Sequence, residues 1–300
     1  MGLVGEYARD WRLVRAVNLD MDTEMENELK YKDYSSRRQQ QLSQLRLFKR
    51  DQSGGDHVRF VAVRGERIYV SNTHALRVFG MNGYFAYAVD GLSRPAGMSF
   101  DANGRLYVAD EPSFYSPSIK CFYPNDDGDY GSMRYFNRSP VSNLTGICCS
   151  KPGNLYVCEG TSVTVLNEAR KRHRRFTPTA TVWYQPWAVA VSATKAFVTC
   201  VNFDAVVIFN LDGTFVSRFG KSGTHQGQFI RPLGVVYHSK NDHFLICDSH
   251  NKRVQIFSVQ GAFLDSISLP YEPLDVCIDP TSTDGLVYVC GANVVSVFAY

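Results

Sequence analysis

A run of β-branched and aromatic residues that ends in phenylalanine or leucine recurs six times along this 300-residue chain. The intervals between the last residues of successive runs are 43, 44, 43, 48 and 41 residues. The runs end at Phe79, Phe122, Leu166, Phe209, Phe257 and Phe298. A fixed period of about 20 to 50 residues is typical of repeat architectures, in which each repeat is one supersecondary unit.

Each repeat contains further short segments that the same residue types mark as strands. A second strand precedes the recurring run, as at residues 106–109, and a third strand precedes that one, as at 95–98. A fourth strand follows a glycine turn, as at 213–215. Four strands joined by short turns form one antiparallel sheet. Radial repetition of such sheets predicts an all-β fold, a six-bladed β-propeller.

The sixth repeat has only three strands before Tyr300. Residues 44–49 (QLRLFK) are similar to the fourth strand of the repeat at 215–223, so we predict that they complete the last blade and close the ring. The propeller then spans residues 44–300. Residues 1–43 form an N-terminal extension, extended or partly helical, which we expect either to pack on the propeller or to dock on a partner. Within it, residues 23–42 lack glycine and proline and predict a helix.

The composition is that of a folded, soluble protein, with 44% hydrophobic and 20% charged residues. No apolar run reaches the roughly 18 residues that a membrane helix needs, and the first residues show no signal-peptide pattern. We therefore expect a cytoplasmic protein with no membrane partner. The net charge of +3 is too small to indicate a nucleic acid by itself.

Eight cysteines are spread along the chain without a Cys-x-x-Cys pair. Cys158, Cys247 and Cys290 occupy the same position in three repeats, and equivalent positions on different blades are too far apart for a disulfide. We expect them to be small buried residues between blades. The sequence also lacks a P-loop, a dinucleotide-binding glycine pattern and a nucleophile elbow. We therefore predict no catalytic residues, no metal and no cofactor.

The fifth repeat carries the most specific motif. The sequence FGKSGTHQGQFIRPLGV at residues 219–235, continued by LICDSHNKRVQIF at 245–257, resembles the NHL repeat. The resemblance implies a six-bladed propeller like those at the C-termini of tripartite-motif (TRIM-NHL) proteins. Only this repeat keeps Asp248, Asn251 and Arg253 together. Because the chain lacks the paired cysteines of a RING domain, it resembles the recognition arm of those proteins without the ligase machinery.

The loops that enter the inner strands of a propeller meet on one face, together with the turns between the second and third strands. In this chain they carry arginines and aromatic residues, which suit both stacking on bases and anchoring a peptide. We predict that this face is a binding site. Its candidate residues are Arg59, His74, Arg94, Tyr184, Gln185, Trp187, Arg231, His250, Lys252, Tyr271, Glu272 and Asp275.

Two charged residues interrupt a pattern of small residues in the inner strands. The position that holds glycine or alanine in four repeats is assigned to Arg59 in the first repeat and to Asp275 in the sixth. These two repeats are neighbours in a closed ring. We therefore predict that the two charged groups lie within about 8 Å of each other near the channel mouth, as an ion pair or as a polar feature of the binding face.

The densest run of charge lies in the turn and outermost strand of the third repeat. It comprises Arg170, Lys171, Arg172, Arg174 and Arg175. One interpretation is a solvated edge that resists pairing with other strands. The other is a secondary basic patch that docks an acidic partner or a phosphate backbone.

Several functions stay open at this point. The leading hypothesis is a non-catalytic interaction or scaffold module that binds a protein or peptide partner. The resemblance also implies single-stranded RNA recognition in post-transcriptional regulation, or a substrate-recognition arm associated with a ubiquitin ligase. A metal-dependent amidating lyase of similar fold comes last, because it uses three histidines and only His74 and His250 are predicted on this face.

Overall fold

The computed structural model describes residues 13–16, 58–111, 117–138, 143–150, 153–167, 169, 171–177, 184–279, 285–291 and 294–298. These residues form six four-stranded antiparallel sheets, so the predicted six-bladed propeller is confirmed. The helices within these ranges are single 3₁₀ turns, Val201–Phe203 and Ser249–Asn251. In the described part of the chain, no helix has the length and apolar character needed to cross a membrane.

Blades one to three are each built from four consecutive strands. Blade one contains β2 (Phe60–Arg64), β3 (Arg67–Ser71), β4 (Leu76–Gly80) and β5 (Phe85–Val89). Blade two contains β6 (Pro95–Phe100), β7 (Leu106–Asp110), β8 (Ser118–Pro124) and β9 (Tyr130–Arg138). Blade three contains β10 (Leu144–Cys149), β11 (Leu155–Glu159), β12 (Ser162–Leu166) and β13 (Arg172–Phe176).

Blades four and five follow the same order, and blade six takes its last strand from elsewhere. Blade four contains β14 (Pro186–Val191), β15 (Lys195–Cys200), β16 (Ala205–Asn210) and β17 (Phe215–Phe219). Blade five contains β18 (Pro232–His238), β19 (His243–Asp248), β20 (Arg253–Ser258) and β21 (Phe263–Ser268). Blade six contains β22 (Asp275–Ile278), β23 (Val287–Gly291), β24 (Val294–Phe298) and β1 (Leu13–Ala16).

An N-terminal strand closes the ring, as predicted, but it is not the predicted segment. β1 pairs antiparallel with β24 and takes the outermost place in blade six. The prediction gave that place to residues 44–49, which lie outside the described residues, as does the predicted helix at 23–42. Pairing at a sheet edge uses backbone groups, so a strand without the repeat motif can fill it. Part of the segment 1–43 therefore belongs to the last blade.

Neighbouring inner strands approach so closely that some positions have no room for a side chain. A Cβ on Gly97 would lie 2.4 Å from the carbonyl oxygen of Thr145, and one on Gly146 would lie 2.6 Å from the Cα of Ala188. Interiors are close-packed, so the small residues of the repeat are a requirement of ring packing.

The strand register corrects the sequence alignment of the first repeat by one residue. Phe60 pairs with Ser71, and Asp275 pairs with Cys290, where Ser71 and Cys290 are equivalent positions of the second strand. Phe60, and not Arg59, is therefore the counterpart of Asp275. Blades two to five contain a bulge at this point of the inner strand, whereas blades one and six pair regularly.

Thiols and aromatic rings fill the space between blades. All eight cysteines are free, and Cys158, Cys247 and Cys290 are fully buried, as predicted. Burial raises the pKa of these thiols well above its usual value, so they are neutral. Phe197 of blade four stacks on Phe244 of blade five with ring centroids 3.6 Å apart.

Candidate functional site

A channel runs through the centre of the ring and is lined by the inner strands of all six blades. Its volume is about 280 Å³. Each inner strand starts on the same side of the ring, so the loops that enter them share one face. We name it the channel-mouth face, and define it by five residues of the loops that enter these strands: Arg59, Arg94, Gln185, Arg231 and Glu272.

An aromatic pair spans the channel at this face. Phe60 begins the inner strand of blade one, and Trp187 lies in the inner strand of blade four, the opposite blade in a ring of six. Their rings are stacked, with centroids 6.0 Å apart and planes inclined by 14°. Phe60 is buried beneath this surface, and Trp187 is partly exposed. The mouth of the channel therefore has an apolar centre.

One repeat position fixes two of the loops of this face. In four blades, the residue at or just after the end of the second strand is polar and fully buried: Asn72, Asp110, Glu159 and Asp248. The Asp110 carboxylate accepts the N–H of Arg94 at 2.7 Å. The Asp248 carboxylate accepts the N–H of Ile230, the residue before Arg231, at 2.8 Å. These bonds hold the backbone that presents both arginines.

Blade five carries the fullest version of this anchor. Asp248 accepts hydrogen bonds from Asn251 Nδ2 at 2.9 Å, Arg253 Nε at 2.7 Å and Gln255 Nε2 at 3.0 Å. Arg253 Nη2 also donates to the carbonyl oxygen of His225 at 2.7 Å, in the loop that joins blades four and five. The Asp–Asn–Arg set of the fifth repeat therefore ties two blades together.

Arg231, His250 and Glu272 form an exposed polar cluster on the channel-mouth face. Arg231 Nη1 lies 3.3 Å from His250 Nε2, and the same ring nitrogen lies 4.0 Å from Glu272 Oε2. Arg231 has a φ of 58°, in the left-handed region that favours glycine. Its N–H donates to Asp204 Oδ1 of blade four at 2.7 Å, which holds this conformation in place.

A second cluster brings Arg59, Arg94 and Glu111 together between blades one and two. The guanidinium carbon of the partly buried Arg59 lies 5.8 Å from the centre of the Phe60 ring. Burial and the positive charge of Arg94 lower the pKa of Arg59, and the negative charge of Glu111 opposes them. Glu111 Oε1 already accepts the N–H of Asn143 at 2.7 Å.

Asp275 contacts blade one, but not through Arg59. Its Oδ2 accepts the N–H of Val61 at 3.0 Å. Within the described residues Arg59 forms no ion pair with Asp275, and its charged neighbours are Arg94 and Glu111. Burial raises the pKa of Asp275 to about 7 despite its hydrogen bond. The predicted ion pair is therefore not formed, because Phe60 occupies the position that the alignment gave to Arg59.

The other predicted site residues separate into exposed and buried groups. Tyr184 and Tyr271 are buried, and the Tyr271 hydroxyl donates to Ser296 Oγ at 2.7 Å. These two tyrosines pack between blades and do not present their rings to a ligand. The exposed members are His74, Arg94, Gln185, Arg231, His250, Lys252 and Glu272.

The basic run at the edge of blade three is exposed, but its arginines have partners within the protein. The partners are Glu159 for Arg172 at 3.2 Å, the carbonyl oxygen of Leu211 for Arg174 at 2.8 Å, and Ser162 Oγ for Arg175 at 2.7 Å. Lys171 is exposed, and Arg170 lies outside the described residues. These bonds favour the interpretation as a solvated edge of the sheet, and docking there stays a prediction.

Sequence reasoning misses three residues that shape the channel-mouth face: Phe60, Asp110 and Glu111. Phe60 is hidden by the one-residue misalignment of the first repeat. Asp110 follows the small residue of the second strand, as Asp248 does, so that shared position could have identified it.

No metal centre emerges from the described part of the chain, where no group of three or more His, Cys, Asp or Glu side chains is placed to hold an ion. His74 lies in a turn of blade one and His250 in a turn of blade five. The two histidines predicted on this face therefore lie on different blades.

A family comparison matches part of the fifth blade. Residues 229–257 match the NHL repeat. A segment of 46 residues is 41% identical to Protein brain tumor of Drosophila melanogaster. That segment spans 15% of this chain and 4% of the length of the relative.

Solved structures share the fold at low sequence identity. Virginiamycin B lyase of Staphylococcus aureus is 10% identical with a TM-score of 0.59, and the match covers 86% of this chain and 98% of the lyase. A gluconolactonase of Xanthomonas campestris is 13% identical with a TM-score of 0.64, covering 82% and 86%. A Bacteroides thetaiotaomicron protein of unknown function is 11% identical with a TM-score of 0.67, covering 82% and 70%. At these identities the likeness shows the fold alone. This chain is thus a six-bladed β-propeller that carries an NHL repeat in its fifth blade.

Proposed function

We propose that this propeller is a non-catalytic interaction module whose channel-mouth face binds a protein or peptide partner. The observation that carries the proposal is the stacked Phe60–Trp187 pair, surrounded by exposed charged and polar side chains. Protein interfaces concentrate binding energy in a few central aromatic residues and arginines, enclosed by a polar rim. The channel mouth has this arrangement.

The distribution of charge on the face favours a polypeptide over a nucleic acid. Glu111 lies beside Arg59 and Arg94, and Glu272 lies beside His250 and Arg231. Surfaces that bind a phosphate backbone gain affinity from an excess of Lys and Arg side chains over Asp and Glu, and acidic side chains nearby reduce that gain. Single-stranded RNA is therefore the second candidate ligand. Substrate recognition for a ubiquitin ligase would be one use of a protein-binding face.

The fold itself does not decide between binding and catalysis, because two of the similar structures are named as enzymes. The argument for binding rests on what the polar groups of the face do. Asp110 and Asp248 hold the loop backbone, and His250 lies between Arg231 and Glu272.

The proposal places the module in the cytoplasm, where eight free thiols would be kept reduced.

Selection from a phage-displayed library of random peptides tests the proposal on the full chain. The wild-type protein is expected to enrich specific peptides, and Trp187→Ala is expected to lose them because the apolar centre of the mouth is removed. Trp187→Phe keeps an aromatic ring and should retain most of the binding. Phe215→Ala removes an exposed aromatic ring from the outermost strand of the same blade and is the matched control.

The outcomes separate the two candidate ligands. Absence of enriched peptides, or enrichment that survives Trp187→Ala, contradicts the proposal. A parallel selection from single-stranded oligonucleotides tests RNA-type binding, which should weaken steeply with added salt and fall on Arg94→Ala or Arg231→Ala. Urea unfolding of each variant confirms that it is folded.

A further inference from the structure

We infer that the channel-mouth face holds a carboxylate of its partner between Arg59 and Arg94, beside the apolar centre formed by Phe60 and Trp187. The inference rests on the proposed function and specifies the class of peptide: a segment with Asp or Glu close to the residue that contacts Trp187. The two arginines belong to adjacent blades, and each immediately precedes an inner strand.

The backbones of both arginines are fixed without any ligand. The N–H of Arg59 donates to the carbonyl oxygen of Ser71 at 2.9 Å. The N–H of Arg94 donates to the Asp110 carboxylate at 2.7 Å, and its carbonyl oxygen accepts the N–H of Glu111 at 3.2 Å. A partner therefore meets arginines whose main chain is already in position, which reduces the entropy lost on binding.

The guanidinium groups of this pair have unused donors. Within the described residues, neither one makes a hydrogen bond or an ion pair, and Arg59 contacts the face of the Phe60 ring. Glu111 is the nearby acid, and one of its oxygens is engaged by the N–H of Asn143. The positive charge of Arg94 lowers the pKa of the partly buried Arg59, and an anion that contacts both groups would offset this repulsion.

The chemistry of the site favours a carboxylate. A guanidinium group presents a planar fork of N–H donors that matches the two oxygens of a carboxylate. The guanidinium carbon of Arg59 lies 5.8 Å from the Phe60 ring, whose centroid is 6.0 Å from that of Trp187. The guanidinium carbon of Arg59 is therefore at most about 12 Å from the centre of the Trp187 ring, a distance that three to four residues of extended chain span. An acidic residue and an apolar residue of one peptide can reach both.

Peptides selected from the library test this inference. The wild-type protein is expected to enrich sequences with Asp or Glu within about three residues of an aromatic or large apolar residue. Arg59→Gln and Arg94→Gln should lose this acidic preference and bind the best wild-type peptide about 10- to 100-fold more weakly, the effect expected for one charged hydrogen-bonded contact. Arg59→Lys keeps the positive charge but loses the planar fork of N–H donors, so its affinity for the peptide should lie between those of the wild type and Arg59→Gln.

Arg67→Gln is the matched control, because it makes the same charge change in the same blade. Arg67 begins β3, at the end of the blade away from the channel mouth, where its partner Asp129 lies 3.8 Å away. This variant should bind the peptide like the wild type. Thermal unfolding of all four variants confirms that each is folded.

A double-mutant cycle completes the test. Replacing the acid of the best peptide by its amide should weaken binding to the wild type at least as much as Arg59→Gln does, and the two changes together should cost clearly less than the sum of their separate losses. Two results contradict the carboxylate site: selected peptides that lack an acid but still need Trp187 for binding, or losses of affinity that are fully additive in the cycle. Either result leaves the proposed function standing. If no peptide is enriched, or if oligonucleotides are bound through these arginines instead, both proposals are overturned.

Discussion

Replacing Asp275 by asparagine is expected to stabilise the ring increasingly as the pH rises from 4 to 8. The carboxyl group lies in the wall of the channel, where its Oδ2 accepts the N–H of Val61 and joins blade six to blade one. An asparagine oxygen can accept the same hydrogen bond. The substitution therefore removes the titrating group while keeping the contact between the two blades.

The size of the effect follows from the burial of the carboxyl group. Burial raises the pKa of Asp275 from its ordinary 3.8 to about 7. Between these values the unfolded chain releases the proton and the folded chain keeps it, so the wild type loses stability as the pH rises through this range. The full loss is at most about 4 kcal/mol. The neighbouring Cys247, Cys277 and Cys290 thiols have raised pKa values and stay neutral throughout.

Urea unfolding at pH 4, 6 and 8, followed by circular dichroism, measures the difference in free energy of unfolding between wild type and Asp275→Asn. The variant should gain up to about 4 kcal/mol over the wild type between pH 4 and pH 8. Asp90→Asn changes an exposed aspartate and should show no such trend. A difference that is the same at pH 4 and pH 8 would refute the claim that the half-buried Asp275 lies in a site that disfavours its charge.

Two further substitutions test how the ring is held together. Gly146→Ala should destabilise the protein by about 1–3 kcal/mol because the new Cβ meets the backbone of Ala188, whereas Gly131→Ala, where the space is open, should leave the urea midpoint unchanged. Lys120→Met removes the partner of the buried Asp110 and should cost about 3–5 kcal/mol in urea unfolding. A loss below about 1 kcal/mol would show that the pair does not support the loop before Arg94.

The repeat period was sufficient to predict the number of blades and the strands within them. Each blade repeats the same residue pattern, so the strands of one blade support the assignment of those in the others. The closing strand has no such redundancy. Leu13–Ala16 fills the edge of blade six through backbone pairing, which leaves little trace in the sequence, whereas residues 44–49 resemble the repeat.

The binding face was only partly predictable, since a repeat pattern identifies the loops but not which side chains are exposed. Arg94 and Arg231 are exposed as expected, whereas Tyr184 and Tyr271 are drawn into the contacts between blades. Phe60 was missed because the inner strand of blade one lacks the bulge found in blades two to five, and a bulge shifts the alignment by one residue. Such a shift depends on how the sheets pack, so the sequence pattern alone does not reveal it.

Hydrogen–deuterium exchange of the full chain, with and without the tightest peptide from the selection, tests the binding proposal most directly. The proposal predicts slower exchange in the segments 90–94, 184–187 and 229–231, which surround the channel mouth. Slower exchange confined to the outer strand 172–176, or to residues 239–242 at the other end of the channel, would contradict it.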